Sequence, residues 1–204
     1  MYIPAFNKFP NQQEAISFMQ AYSFATIVSV MDGLPVATHL PFIIKQEGDK
    51  VIISSHFAKA NPQAHGLGGK KVLVIFTEPH AYISPKNYEN ELNVPTWNYL
   101  AVHAYGICKI LDGEENKAAV LKEMIQSFES DYQQQWDNLP QDYQSKMMNG
   151  IVAFEIEVDD LQAKAKLSQN RSAVEQQNII EHLDQSPDTT EKAIAAYMEK
   201  LNKK

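Results

Sequence analysis

The chain of 204 residues lacks the features that mark several large protein classes. Its one cysteine, Cys108, excludes an internal disulfide and a multi-cysteine zinc site. No apolar run approaches the roughly 20 residues that cross a bilayer, and the first residues lack the basic and apolar stretches of a signal peptide. Apolar residues still make up 44% of the chain, which is enough for a buried core. We therefore expect a cytoplasmic protein with a single domain over residues 1–204, including a C-terminal helical extension from about residue 172.

Positive charge is also scarce. The chain has 18 basic residues against 25 acidic ones, a net charge of −7, and Arg171 is its one arginine. Residues 1–111 carry 8 lysines against 7 acids, whereas residues 112–204 carry 10 basic residues against 18 acids. A protein that binds DNA directly needs clustered cations to neutralise phosphates, so direct nucleic-acid binding is not expected. A small anionic ligand is compatible with this balance, more naturally in the near-neutral first half.

The common catalytic and nucleotide-binding motifs are missing as well. The sequence contains no G-x-G-x-x-G, no P-loop and no G-x-S-x-G. Cys108 lies in an alternating strand pattern and is expected to be a small buried apolar residue. Five of the six histidines fall in the strand-rich part, but none forms an H-x-H or a helical H-x-x-x-H pair, so we expect no metal site. These histidines are His39, His56, His65, His80 and His103.

Hydrophobic periodicity predicts strands first and helices later. The predicted strands are Ala25–Met31, Leu34–Ile44, Val51–Ser55, Lys71–Thr77 with Ala81–Ile83 as an optional continuation, Trp97–Leu111 and Ile151–Val158. The predicted helices are 12–22 with Asn11 as N-cap, 114–132, 141–148, 172–183 and 189–201. Because regular β-α-β alternation is absent, the pattern favours a mainly β (α+β) fold, a small antiparallel barrel of five or six strands with peripheral helices.

Three segments carry candidate binding chemistry, and each has a plainer alternative. Ser54–Pro62 places hydroxyls, helix-start amides and a lysine at a strand end, which suits a phosphate, or it is an ordinary surface turn. Trp97 follows the long loop of residues 84–95 and could stack on a flat heteroaromatic ligand, or it is a core tryptophan. Residues 164–171 form either a solvated connector or an anion or subunit contact.

Taken together, these segments resemble a known family. The resemblance covers roughly residues 1–185 and is with the PaiB-type family, known as FMN-binding negative transcriptional regulators. Each segment is weakly specific by itself, but the ordered set is specific. The segments are Thr38-His39-Leu40-Pro41-Phe42, His56-Phe57-Ala58-Lys59-Ala60-Asn61-Pro62, Pro79-His80-Ala81-Tyr82-Ile83-Ser84-Pro85, Val94-Pro95-Thr96-Trp97-Asn98-Tyr99 and Lys166-Leu167-Ser168-Gln169-Asn170-Arg171.

The resemblance implies a six-stranded split β-barrel of the pyridoxamine-phosphate-oxidase kind, in a homodimer with FMN at the subunit interface. The chain matches none of the substrate-binding residues of true pyridoxamine phosphate oxidases. Carried over by motif, the cofactor contacts are Thr38, His39, Leu40 and Pro41 along the isoalloxazine ring, Ser54, Ser55 and His56 near the flavin and ribityl chain, Lys59 and Asn61 at the phosphate, Trp97 and Asn98 closing the site from the second subunit, and Arg171 as a contributor.

The expected function is FMN binding with negative regulation of transcription, exerted indirectly. Two alternatives stay open. One is a flavin-dependent oxidoreductase, since the flavin itself supplies the redox chemistry. The other is a haem-binding protein, with axial ligands drawn from His39, His56 and His80. No catalytic residue is identified from the sequence.

Overall fold

A computed structural model of the protein describes residues 1–203, which form seven strands and six α-helices. The strands are β1 (Phe24–Met31), β2 (Leu34–Pro41), β3 (Ile43–Glu47), β4 (Lys50–Ala58), β5 (Lys71–Ile83), β6 (Thr96–Ile110) and β7 (Ile151–Lys166). The helices are α1 (Gln12–Ala21), α2 (Glu114–Phe128), α3 (Tyr132–Asp137), α4 (Gln141–Asn149), α5 (Ala173–Asp184) and α6 (Thr189–Asn202). Single 3-10 turns lie at Ala5–Asn7, Pro62–Ala64 and Pro85–Asn87.

The strands form one sheet in the order β2-β1-β5-β6-β7-β4-β3. The pairs β1–β2, β1–β5, β3–β4 and β4–β7 are antiparallel, so the mainly β class with peripheral helices is confirmed. The sheet has seven strands, not the predicted six. The predicted run Leu34–Ile44 divides at Phe42. Strand β2 ends at Pro41, which has no N–H to continue a ladder, and β3 begins at Ile43.

The chain divides into two compact units. Unit 1 contains residues 1–15, 77–102 and 162–204, and unit 2 contains residues 16–76 and 103–161. Strands β5, β6 and β7 each run from one unit into the other along the chain. Unit 1 therefore holds α5, α6 and the long loop of residues 84–95, and unit 2 holds the β1–β2 and β3–β4 hairpins.

Aromatic side chains dominate the core of unit 2. The Phe57 and Phe154 rings stack with centroids 4.9 Å apart, and Phe42 meets Phe154 edge-on at 6.3 Å and Phe76 at 5.9 Å. All four side chains are fully buried. Phe42 lies between β2 and β3, which are the two edge strands of the sheet. Its side chain packs in the core where the chain passes from one edge strand to the other.

Side-chain caps account for the predicted starts of α1 and α5. Asn11 Oδ1 accepts from the Glu14 amide at 2.9 Å and begins α1. At the start of α5, Ser172 and Glu175 form a capping box, each side chain bonding the other's backbone N–H. Helix α3 was not predicted, and β5 runs unbroken through the cis Glu78–Pro79 bond.

Candidate functional site

A buried glutamine organises the first group of predicted site residues, in unit 2. Gln63 is 3% exposed and lies in the 3-10 turn that follows β4. Its Oε1 accepts from the Thr38 hydroxyl at 2.6 Å, and its Nε2 donates to Ser29 Oγ at 3.1 Å and to the Ile27 and Val36 carbonyls at 3.3 Å. The turn is thereby fixed to the β1–β2 hairpin. We call this the Gln63 junction.

Asn61 completes that junction. Its Nδ2 donates to Thr38 Oγ1 at 3.0 Å, while its Oδ1 accepts from the Gln63 amide at 2.9 Å. The predicted residues Thr38 and Asn61 are therefore brought together, and each already has a protein partner. Gln63 was missed, because its partners are 25 to 36 positions away and no local motif announces them.

The end of β4 lies beside the end of β2. The Ser55 hydroxyl, completely buried, donates to the Pro41 carbonyl at 2.6 Å. Strand β2 is an edge of the sheet, paired with β1 on one side, so backbone N–H and C=O groups along its other side lack ladder partners. The contact fixes the Pro41 carbonyl, which faces away from β1, against β4.

His56, the next residue of β4, provides an unsatisfied polar atom on the opposite face of the strand from the Ser55 side chain. The side chain is half-buried, and its Nδ1 is buried without a hydrogen-bond partner among residues 1–203. Desolvation by burial lowers its pKa, so the neutral ring is favoured. A buried ring nitrogen without a hydrogen-bond partner is uncommon in a folded protein. A polar atom of a bound ligand would supply the missing partner.

The turn after β4 is less open than the sequence predicted. The expectation of free amides at a helix start fails here, because the Lys59 amide donates to the Gly150 carbonyl at 2.8 Å and the Asn61 amide to the Ala58 carbonyl at 2.9 Å. The Gln63 amide is used within the junction. What the turn does offer is the exposed Lys59 side chain, which forms no ion pair among residues 1–203.

Trp97 lies in unit 1, on β6, and is not a core residue. Its side chain is 52% exposed, which excludes the alternative of a buried tryptophan. The rings of His80 and Tyr82 lie 5.9 and 5.7 Å from it, centroid to centroid. This cluster presents an aromatic surface that a planar ligand or another protein surface could cover.

Asn98 and Arg171, the other predicted residues of unit 1, are engaged within the protein. Asn98 is fully buried, accepts from the Ser168 hydroxyl at 3.1 Å and points its amide at Met198 Sδ, 3.5 Å away. Arg171 donates to Asn93 Oδ1 at 2.7 Å and stacks over the Tyr88 ring at 3.8 Å. Both interactions order neighbouring backbone.

Around Arg171 further bonds hold the long loop of residues 84–95 to the start of α5. Buried Glu175 accepts from the Glu89 amide at 3.2 Å, and the Ser172 hydroxyl donates to Glu89 Oε2 at 2.8 Å. We call this set the Arg171 junction. A pocket of about 440 Å³ opens beside it, lined by loop residues 90–93 with Arg171 and Glu175.

One face of the β1–β2–β5 ladder in unit 2 is apolar and lacks charge. Directly opposed residues of antiparallel strands share a face, so the registers of β1 with β2 and β5 define this set. Phe24 and Val30 are 67% and 60% exposed on it. The set, called here the hairpin face, is Phe24, Thr26, Val28, Val30, Pro35, Ala37, His39, Pro41, Leu73 and Ile75.

A metal site, a cysteine nucleophile and a membrane-spanning helix find little support in the described residues. Among residues 1–203, no group of three or more His, Cys, Asp and Glu side chains is arranged to hold a metal ion. Burial raises the pKa of the Cys108 thiol to about 12, which fits the predicted buried apolar role and not a nucleophile. Within the same range, the helices fall short of the length and apolarity needed to span a membrane.

Comparison with known proteins gives matches in sequence and in structure. A family profile described as "Putative FMN-binding domain" matches residues 1–160. The protein named "Protease synthase and sporulation protein PAI 2" from Bacillus subtilis (strain 168) is 42% identical over 207 residues, covering 100% of this chain and 99% of that protein. The sequence match therefore extends beyond the profile, through α5 and α6.

Two solved structures share the fold at low sequence identity. The FAD and haem binding protein from Mycobacterium smegmatis matches with a TM-score of 0.61 and 16% identity, covering 78% of this chain and 73% of that one. The flavocytochrome Anf3 from Azotobacter vinelandii matches with a TM-score of 0.62 and 16% identity, covering 80% and 72%. These likenesses confirm the predicted split-barrel fold.

Proposed function

Because the chain belongs to the PaiB-type family of FMN-binding proteins, we propose that it is a homodimeric FMN-binding regulator that acts without binding DNA itself. FMN is the cofactor that the family profile assigns. When bound, FMN supplies hydride or electron transfer, and the protein's own residues bind and orient it. The observation that carries the proposal is the buried, unpartnered Nδ1 of His56 on β4, the strand that contacts the end of β2 through Ser55.

The proposed flavin-binding surface is built from β2 and the end of β4. Thr38, His39, Leu40 and Pro41 are proposed to lie along the ring. Of these four residues, His39 and Pro41 turn backbone groups toward the open edge, whereas the Thr38 and Leu40 backbone groups are paired with β1. Ser54 and His56 lie on one face of the adjoining strand, and the buried Ser55 supports the surface by bonding the Pro41 carbonyl. The Gln63 junction positions this surface, because it holds the Thr38 side chain and the following turn in one arrangement. Trp97 is proposed to close the site from the second subunit with its exposed ring, and Asn98, which is fully buried, to contribute by supporting β6 behind it.

The proposed phosphate contacts are Lys59 and Asn61. Lys59 is exposed and lacks an acidic partner among residues 1–203, so its ammonium is available. Asn61 contributes by holding the turn through Thr38. Arg171 is proposed to contribute by ordering the loop of residues 84–95, not by touching the cofactor.

An absorbance spectrum and flavin titrations test this assignment. The purified protein should absorb near flavin wavelengths or bind added FMN with quenching of flavin fluorescence. Lys59→Ala should weaken FMN binding about tenfold or more, since a charge-assisted phosphate bond contributes about 1.5–3 kcal/mol. Riboflavin, which lacks the phosphate, should bind both proteins equally.

Lys122→Ala, which removes an exposed lysine from α2 of the same unit, is the matched control and should bind FMN like the wild type. Equal FMN affinity in Lys59→Ala and wild type would remove Lys59 from the site. A colourless protein that binds neither FMN nor riboflavin would refute the proposal as a whole.

The proposed regulatory role is supported by the name of the Bacillus subtilis relative and by the net charge of the chain. The name of the Bacillus subtilis relative connects that protein with protease synthesis and sporulation. The net charge of −7 opposes direct binding to DNA phosphates. Five lysines and Arg171 are also paired with carboxylates. An indirect role, through the flavin or a protein partner, is therefore proposed.

Retention of sheared genomic DNA on the immobilised protein tests this part. We expect weak retention that disappears between about 50 and 200 mM salt. Retention that survives the higher concentration would contradict an indirect mechanism while leaving FMN binding untouched.

The hairpin face supports the homodimer. It joins ten residues without a formal charge, and the large apolar side chains of Phe24 and Val30 are exposed on it. Exposed apolar surface of this kind is typical of subunit interfaces.

Sedimentation tests the proposed dimer. The wild type should be a dimer, and Phe24→Glu, which would bury a charge in the interface, should shift the protein to monomer. Leu92→Glu, which charges a loop tip that is 99% exposed, should leave the dimer intact. A monomeric wild type would refute this part.

Haem is the second candidate ligand, because the unpartnered Nδ1 of His56 could also coordinate haem iron. Added haemin should give a Soret shift that His56→Gln abolishes if this candidate is right. No shift in the wild type excludes it and leaves the flavin assignment in place.

A further inference from the structure

Lys164 is unusual among the lysines of this protein. It is 9% exposed and is the one buried lysine in residues 1–203. The five lysines that form ion pairs have side chains at least 41% exposed, and each has an acidic partner. Within residues 1–203, Lys164 forms no ion pair. Burying a charge without a counter-charge is unfavourable, so this arrangement needs a compensating interaction.

Aromatic rings supply part of that compensation. The Lys164 Nζ lies 5.1 Å from the centre of the Tyr99 ring and 6.0 Å from that of Tyr2. Cation–π contacts of this length stabilise an ammonium but do not neutralise it. The positive charge therefore remains available to an anion.

A second lysine adds to the same charge. Lys166 is two residues further along β7, on the same face of the strand as Lys164. Its Nζ donates to the Thr96 hydroxyl, and it too lacks an acidic partner in residues 1–203. Burial lowers the pKa of Lys166, and the Lys164 ammonium adds to that effect while Tyr99 opposes it.

A third lysine lies across from this pair. Lys8 is the antiparallel bridge partner of Lys164, which puts the two side chains on one face of the strand pair. The segment from Asp112 to Lys204 carries 18 acidic residues, yet none of them is placed against Lys164 or Lys166 as an ion-pair partner among the described residues. The result is a local concentration of positive charge in a strongly acidic part of the chain.

From this cluster we infer that Lys164 and Lys166 form a binding site for a small oxyanion, a phosphate or carboxylate group. The two ammonium groups supply the charge. The Thr96 and Tyr99 hydroxyls, on β6, are the neighbouring groups able to donate hydrogen bonds. The oxyanion belongs either to FMN or to a second ligand. The inference does not depend on the proposed role of Lys59, which lies in the other compact unit.

Inorganic phosphate is the probe for this site. The full-length protein is titrated with phosphate at constant ionic strength, with chloride as the balancing salt, and binding is followed by calorimetry and by the thermal unfolding midpoint. Phosphate should bind the wild type and raise its midpoint. Lys166→Gln and Lys164→Met should each weaken phosphate binding about tenfold or more. Lys192→Gln, which changes an exposed lysine of α6 in the same unit, should behave like the wild type.

Folding of the variants is checked without phosphate. Lys164→Met keeps the apolar stem and removes the buried charge, so its unfolding midpoint should equal or exceed that of the wild type. Lys166→Gln provides a second test through a half-buried position, should Lys164→Met fail to fold. A phosphate response that is absent from the wild type, or equal in wild type, Lys166→Gln and Lys192→Gln, would overturn the inference.

FMN and riboflavin titrations of Lys166→Gln separate the two sources of the oxyanion. Weaker FMN binding with unchanged riboflavin binding identifies the oxyanion as the cofactor phosphate, and reassigns the role proposed for Lys59. Unchanged affinity for both flavins, with phosphate binding lost, identifies the oxyanion as part of a second ligand. Either result supports the site. Failure of flavin binding in the wild type would refute the proposed function but not this site.

Discussion

Two junctions hold loops in this molecule, one in each compact unit, and they use different chemistry. The Gln63 junction is neutral and buried, with one amide side chain linking a turn to both strands of a hairpin. The Arg171 junction is charged and nearer the surface, where the Arg171 side chain is 22% exposed. Its guanidinium is shared between an aromatic face and an amide oxygen.

The two junctions should differ in how strongly a substitution destabilises the protein. Buried hydrogen-bonding groups must all find partners, so loss of one leaves several unsatisfied. Groups at the surface can turn to water instead. We therefore expect the Gln63 junction to govern global stability and the Arg171 junction to govern the local order of one loop.

The largest expected effect is that of Gln63→Ala. It removes the partners of the Thr38 and Ser29 hydroxyls and of two carbonyls at once. The free energy of unfolding should fall by about 3 kcal/mol, measured by urea denaturation. His65→Ala, at an exposed position two residues later, should change it by less than about 0.5 kcal/mol. A loss below about 1 kcal/mol for Gln63→Ala would mean that the junction is not a main source of stability.

Arg171→Lys should have a smaller and more local effect. Lysine keeps the charge but loses the planar group that stacks on Tyr88 and reaches Asn93. We expect a loss of about 1 kcal/mol and faster cleavage by a glutamyl endopeptidase after Glu89 or Glu91 in the released loop.

Lys192→Gln, which alters charge elsewhere in the same unit, should keep the wild-type cleavage rate. If Arg171→Lys is cleaved no faster than this control, the loop is ordered by other contacts, such as the bond from Ser172 to Glu89.

The smallest expected effect is a pH dependence that originates in unit 2. Burial lowers the pKa of His56 and of His103 in the folded protein. Below the ordinary histidine value of about 6.5 the unfolded chain takes up protons more readily, so stability should fall as the pH drops from about 7 to about 5. Above that window the contribution is fully present.

His56→Gln should make this fall shallower without abolishing it, because His103 remains. Urea denaturation at a series of pH values measures the slope. His65→Gln, which replaces an exposed histidine, should keep the wild-type slope. An unchanged slope in His56→Gln would assign the dependence to other groups.

Much of the fold could be predicted because its determinants are local. Asn11 and Ser172 begin helices through side-chain caps that lie within three residues of the amides they bond. Strand alternation located six of the seven strands, and the motif resemblance gave the barrel type that the structural comparisons confirm. The division of residues 34–44 into two strands was missed, because Phe42 is apolar in sequence and its role in the core depends on distant aromatic residues.

The candidate site was less predictable, because its geometry is long-range. Asn61 and Thr38 were chosen by motif, but the residue that joins them, Gln63, has partners on strands far away in sequence. The sequence predicts residues 164–171 as either a solvated connector or an anion or subunit contact. The burial of Lys164 between tyrosine rings depends on Tyr2 and Tyr99, which no local pattern connects to it.

Proline placement along β2 bears on what this protein does at high concentration. The strand forms one border of the sheet, and Pro35 and Pro41 lie near its two ends. Neither can donate a main-chain proton, so an incoming extended segment would find an incomplete row of donors. The two prolines therefore disfavour the addition of a strand from another copy of the chain to this border of the sheet, and with it the growth of open-ended fibrils from β2.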